Sequence, residues 1–335
     1  MDLKYLSLIV LVLQTTALVL LMRYSRAVGT GPMYLASTAV VMAEVFKLVS
    51  SLLLFWWELA RESYRFHSPI VFLTHLRTVL FSQPFELLKL AVPALLYTIQ
   101  NNLLYVALSN LDAATYQVTY QLKIMTTAIF SVLMLGKQLD VKKWTALVML
   151  MFGVACVQMP SSSSKSYSAT HTVVGSSVVG LVAVLSACCS SGFAGVYFEK
   201  ILKGTKPSLW LRNFQLAFFS ILLGFGGVVL DRKVVLSEGF FHGYSPLVWT
   251  VVILQGIGGL VVAAVIKYAD NILKGFATSV SLIFSAVISF IFLDDLELTS
   301  LFVIGASLVI AATMLYSQPE KKSDNVHPPQ PASNV

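Results

Sequence analysis

Charge is scarce in this chain. Only 12% of its 335 residues are Asp, Glu, Lys or Arg, while 57% are hydrophobic; soluble globular proteins carry about 25% charged residues. Its 23 Lys and Arg with 16 Asp and Glu cannot clothe a water-facing surface of this size, which excludes a soluble enzyme. Cysteine is scarce too. Cys156, Cys188 and Cys189 are the only three, all inside apolar runs, so no disulfide scaffold is expected. The five histidines, His67, His75, His171, His242 and His327, lie outside those runs and lack metal-ligand spacing, so no metal site is expected. HExxH, GxSxG, Walker A and the glycine-rich dinucleotide fingerprint are all missing. Hydrolysis and ATP-driven pumping therefore lack their machinery, and no cofactor is called for.

Apolar runs of about 20 residues fill the chain instead, the length that crosses a hydrocarbon layer. Ten are expected, over 4–22, 33–57, 87–109, 112–135, 143–159, 173–198, 209–230, 246–267, 271–293 and 299–317. The fold class is thus an all-α polytopic membrane protein in contact with the lipid bilayer. The first run has only Lys4 before it and no small-residue cleavage site, so it reads as a retained span. Residues 58–86 are mixed; Pro69 to Leu80 is too short to span and holds His75 and Arg77, which suits a loop or an interfacial helix.

The net charge of +7 does not point to nucleic acid, because the basic residues are spread over short loops and form no patch. Fourteen Lys and Arg fall on the N-terminal side, among them Arg61, Lys89, Lys137, Lys143, Lys203 and Arg212. Only Arg23, Arg26, Lys165, Arg232 and Lys233, five in all, fall on the other. By the positive-inside rule both termini are cytosolic. The Ser-rich stretch 161–172 then reads as a lumenal loop, and the polar tail 318–335 as a disordered cytosolic segment.

That loop divides the chain into two five-span halves, 1–160 and 173–317. Asn110-Leu111-Asp112 answers Tyr268-Ala269-Asp270, Ile129-Phe130-Ser131 answers Ile283-Phe284-Ser285, and Gly153 answers Gly305, at offsets of 158, 154 and 152. An odd number of spans per half inverts one against the other, the pattern of secondary transporters.

Four basic residues lie within or at the end of a span. Lys123 is central in the fourth, where a charge costs about 2.5–3.5 kcal/mol on insertion scales. Tyr116, Tyr120 and Lys123 share one helical face with Thr119 and Thr127, flanked by Gln117 and Gln121. Such a lysine snorkels, pairs with another helix's carboxylate, or serves a wet cavity. Lys274, Thr278, Ser281 and Ser285 form a like face in the ninth span, whose N-terminus Asp270 or Asn271 can cap. One lysine per half plus a helix N-terminus favours an anion, phosphate above all. Glu44 and Lys47 are spaced i, i+3 and neutralise each other, as a structural pair or a gate. Lys267 ends the eighth span. Tyr97, Gln100 and Asn101, then Ser190 and Ser191, then Asn213 and Gln215 add polar groups that hydrogen-bond between helices or meet a flat ring.

The strings YQVTYQLK (116–123), GFAGVYFEKILK (192–203), KYADNILKGF (267–276), MRYSR (22–26) and QNNLLYVALSNLDAATYQ (100–117) resemble the Golgi nucleotide-sugar transporters, and the similarity runs from Leu3 to about Tyr316. The resemblance implies a ten-helix drug/metabolite-transporter fold in the Golgi membrane and no enzymatic activity. It also implies exchange of a cytosolic nucleotide sugar for a lumenal nucleoside monophosphate. UDP-sugar and UMP would be the ligands, UDP-N-acetylglucosamine ahead of UDP-galactose. Lys123 and Lys274 would hold phosphate, and Tyr116, Tyr120, Asn101, Ser191 and Asn213 would line the nucleotide pocket. Ala217 departs from the pattern of cytidine-nucleotide members, where a tyrosine sits near the base. A proton-coupled carrier of the same fold would make Glu44 indispensable instead. A homodimer, or a complex with related transporters, is compatible with the resemblance.

Overall fold

The computed structural model describes residues 2–27, 34–82, 84–159, 176–204, 208–292 and 299–318. The Ser-rich loop and nearly all of the C-terminal tail lie outside the described residues. Among those residues the chain is helical: α1 (Leu3–Ala27), α2 (Ala36–Glu62), a 3-10 turn at Tyr64–His67, α3 (Pro69–Ser82), α4 (Pro84–Leu88), α5 (Ala91–Asn110), α6 (Ala113–Tyr120), α7 (Leu122–Leu135), α8 (Val141–Gln158), α9 (Ser177–Gly204), α10 (Leu209–Leu230), α11 (Arg232–Glu238), α12 (Pro246–Tyr268), α13 (Asn271–Phe292) and α14 (Ser300–Ser317). Ten candidate spans are long and apolar enough to cross a membrane, the third made by α4 with α5 and the fourth by α6 with α7. Residues 69–82 form a helix that buries Phe72 and Leu76 against Phe55 of α2 and Leu211 of α10.

Helix starts follow local chemistry. Asp112, Asp140 and Thr299 place a side-chain oxygen on the backbone N–H of Thr115, Lys143 and Phe302 at 2.9, 2.9 and 3.2 Å, each satisfying one orphan donor. The Thr115 hydrogen bonds hold the Asp112 carboxyl below its ordinary value. Gly136 ends α7 at φ 64°, a left-handed cap that glycine adopts without cost.

The packing partners repeat when the halves are exchanged. The contact of α5 with α9 has its counterpart in α12 with α1, that of α7 with α9 in α13 with α1, and that of α2 with α12 in α5 with α10. The pairs α2–α10 and α8–α14 are their own counterparts. At the α8–α14 crossing the two glycines face each other. A Cβ on Gly305 would come within 2.7 Å of the Gly153 carbonyl oxygen, and one on Gly153 within 3.0 Å of the Gly305 oxygen. Only a residue without a side chain lets the backbones approach so closely. Around that crossing Ala146, Leu147, Leu150 and Val154 pack with Ile272, Phe276, Val309 and Ala312.

Candidate functional site

The fourth span is not one continuous helix. Its backbone tightens at Gln121, where the Gln121 N–H donates to the Val118 carbonyl at 3.2 Å and the Ile124 N–H to the Gln121 carbonyl at 3.0 Å. These are i→i−3 bonds, the pattern of a local 3-10 turn. Neither Gly nor Pro marks the place. The Gln121 side chain is buried and donates to Gln158 Oε1 at 3.3 Å, which holds the break inside the protein.

Lys123 stands just after this break. Its ammonium lies 4.1 Å from the centroid of the Tyr120 ring, a cation–π contact worth about 0.5–2 kcal/mol. Tyr120 stacks on Tyr116 with centroids 5.8 Å apart and planes 9° from parallel. The Tyr120 hydroxyl accepts from Gln100 Nε2 at 3.1 Å. Behind them, α7 meets α9 at Gly192, where a Cβ would fall 2.7 Å from Thr126 Oγ1. The Thr126 hydroxyl donates to the Cys188 carbonyl at 2.8 Å. Ser191 precedes Gly192 on α9, and Ser190 donates to the Leu96 carbonyl of α5 at 3.0 Å.

From the other half comes Lys274, one turn into α13. Asp270 caps that helix, accepting from the Leu273 N–H at 2.7 Å. Lys274 lies within electrostatic reach of Lys123 and of Glu199. Among the described residues neither Lys123 nor Lys274 forms an ion pair. Lys123, Lys274, Tyr116, Tyr120 and Ser191 are all half-buried.

The remaining expected residues divide. Asn213 in α10 is buried, and its Nδ2 has no hydrogen-bond partner among the described residues, an orphan donor of the kind a ligand satisfies. Asn101 is exposed on α5. Lys47 is buried and forms an ion pair with Glu44 at 2.6 Å. Its stem crosses α12 at Gly259, where a Cβ would meet Lys47 Cδ at 2.7 Å.

Sequence reasoning passed over Glu199. The sixth span was expected to stop at residue 198, but α9 runs on to Gly204, so this carboxylate is intrahelical and fully buried. Glu199 forms an ion pair with Lys137 at 2.9 Å and accepts hydrogen bonds from Lys203 at 2.8 Å and from the Asn271 backbone N–H at 2.9 Å. Lys137 also reaches Asp270 Oδ2 at 3.2 Å. One lysine of the first half thus clasps two carboxylates of the second beneath Lys274. An acidic residue that continues an apolar run was the available signal.

Comparison with known proteins agrees with this architecture. The family model described as nucleotide-sugar transporter matches residues 1–317. The Mus musculus UDP-N-acetylglucosamine transporter is 58% identical over 326 residues, covering 97% of this chain and 98% of that protein. The Mus musculus UDP-galactose translocator is 51% identical over 318 residues, covering 95% and 79%. A solved crystal structure at 16% identity superposes with a TM-score of 0.62 over 94% of this chain and 98% of its own, which shows a shared fold. A family model spanning ten membrane helices, with relatives this similar, identifies a membrane transporter and not an enzyme: the chain belongs to the nucleotide-sugar transporter family.

Proposed function

We propose that this chain carries UDP-N-acetylglucosamine into the Golgi lumen in exchange for UMP, with Lys123 and Lys274 holding phosphate. The observation that supports the reading most is that two lysines inside the spans, one from each half, lie within electrostatic reach of each other, and among the described residues neither forms an ion pair. A diphosphate brings the missing negative charge. The stacked Tyr116–Tyr120 pair offers an aromatic wall, and the unpartnered Asn213 amide is a donor that a pyrimidine carbonyl accepts. Ser191 and the exposed Asn101 complete the proposed nucleotide pocket. UMP shares the nucleoside and keeps a phosphate, so one site serves both ligands.

The division into 1–160 and 173–317 gives the mechanism its moving parts: two inverted halves that open the site to each side in turn. Both termini are proposed to be cytosolic, from the loop charge. UDP-galactose is the second reading, supported by the 51% identity to a UDP-galactose translocator.

The test uses purified protein in liposomes preloaded with UMP and offered labelled UDP-N-acetylglucosamine, UDP-galactose or CMP-sialic acid. Uptake of UDP-N-acetylglucosamine that vanishes without internal UMP is expected. Preference for UDP-galactose would replace the substrate, and uptake indifferent to internal UMP would remove the exchange. Lys123→Ala and Lys274→Ala are each expected to abolish this uptake while the protein still inserts and melts cooperatively. Near wild-type uptake by either variant would overturn that lysine's phosphate role. Glu44→Gln is expected to retain most of the uptake; complete loss would favour a proton-coupled carrier.

A further inference from the structure

Two sides of α5 are uncovered, and they differ in kind. Leu95, Ile99 and Val106 form an exposed apolar stripe along most of its length, as a lipid-facing flank requires. The one amide on that stripe, Asn102, folds back onto the Thr98 carbonyl of its own helix at 2.8 Å, which turns its donor away from the hydrocarbon.

The second side holds Ala94, Asn101, Tyr105 and Leu108, spaced i, i+7, i+11 and i+14 and therefore on one face. It begins closed. Ala94 is 3% exposed and packs with Leu209 and Leu216 of α10. Farther from the termini the same face opens: Asn101 is exposed, Tyr105 is 70% and Leu108 50% exposed. On the α10 stripe that continues from Leu209 and Leu216, a Cβ at Gly227 would meet only Ser37 within 4 Å. Among the described residues the side chains of Asn101 and Tyr105 make no hydrogen bond or ring contact. A bare amide is costly against lipid, so this opening is a wet cleft and not a second lipid-facing flank.

The cleft continues the candidate site. Gln100, next to Asn101, donates to the Tyr120 hydroxyl at 3.1 Å, and the Tyr120 ring carries the Lys123 ammonium. Tyr105 stands one turn beyond Asn101, about 6 Å farther along the helix axis. From Tyr120 to Lys123 the fourth span runs toward the termini, while α5 runs away from them to Tyr105. We propose that Tyr105 contacts the sugar of the carried ligand: a C–H face of the hexose lies on its ring, and the phenol meets a hydroxyl at the rim. The assignment rests on the exchange of UDP-sugar for UMP proposed above, in which the Tyr116–Tyr120 wall serves the nucleoside and leaves the sugar for Tyr105.

Liposomes loaded with UMP test this with two labelled probes in separate assays, UDP-N-acetylglucosamine and UMP. In Tyr105→Ala the half-saturating concentration of UDP-N-acetylglucosamine is expected to rise about tenfold, the size of a lost aromatic contact. That of UMP, which lacks the hexose, should stay unchanged and so also shows the variant to be folded. Tyr105→Phe keeps the ring and should recover most of the loss. Ile99→Ala, on the lipid-facing stripe, should leave both values at wild type. An equal rise for both probes would put the ring on the nucleoside and overturn the proposal. No rise for either would make Tyr105 a tyrosine of the interfacial belt and overturn it too. A wild type that inserts and melts cooperatively but takes up neither probe would instead overturn the exchange reading on which this one rests.

Discussion

The two ends of the helix bundle are fastened by different chemistry. At the end that holds the termini the ties between the halves are ionic. Lys137 clasps buried Glu199 and half-buried Asp270 at 2.9 and 3.2 Å, and Lys203 adds a third charge at 2.8 Å. Nearby, buried Arg212 meets Glu86 at 3.2 Å, and the Ser208 hydroxyl donates to Glu58. At the opposite end the halves meet through rings and hydroxyls. Tyr34 packs edge-on to Tyr244 with centroids 6.4 Å apart, and Tyr244 packs on Trp249 at 5.2 Å. The Tyr244 hydroxyl donates to Thr38 Oγ1 at 3.2 Å, and Ser37 donates to Asp231 at 2.5 Å. Burial pushes the Tyr244 phenol above its ordinary value, which keeps it a neutral donor.

The difference has an energetic meaning. A buried carboxylate that loses its cations is left uncompensated, at a cost of about 3–5 kcal/mol. A ring that slides past another loses about 0.5–1.5 kcal/mol beyond its buried area. The ionic end is therefore the harder to part in the conformation described.

Glu199→Gln should break the contrast outright. It removes the carboxylate shared by Lys137 and Lys203, leaving Lys137 only Asp270, and is expected to cost about 3–5 kcal/mol, read as a large fall in melting temperature in detergent. An unchanged melt would mean that the network ties nothing. Lys137→Ala should cost less, about 1–3 kcal/mol, because Glu199 keeps Lys203 and the Asn271 N–H. In a double-mutant cycle the two substitutions should couple; strict additivity would say that they act apart. Ser37→Ala at the other end removes one hydrogen bond to a carboxylate and should cost about 1.5–3 kcal/mol at most, less than Glu199→Gln in the same assay. The reverse order would invert the assignment of the stronger end.

How legible this was depends on the distance over which each feature is encoded. Spans were legible because an apolar run of membrane length has few other uses, and ten were expected where ten candidates stand. Lys123 beside Tyr120 was legible too, since a spacing of three residues on a helix brings side chains together. The Gln121 break was not. It depends on a buried amide bonded to Gln158 across the bundle, and no glycine or proline announces it. Nor was the Glu199 clasp, which joins three separate helix ends and fell one residue past an expected boundary. Asn213 was legible as a polar residue in a span, but its missing partner is a property of the packed structure. Asp270 or Asn271 was expected to cap α13, and Asp270 does so; its second engagement, with Lys137, needs the fold.

The glycine crossing of α8 and α14 turns the two ends into arms of a balance. A contact between backbones with no side chain to compress is a natural fulcrum, and motion about a fulcrum lengthens one arm's gap as it closes the other's. Spin labels across Lys137 and Asp270 and across Ser37 and Asp231 should therefore report distances that change in opposite directions on ligand binding. A pair flanking Gly153 and Gly305 should report a single distance that stays fixed.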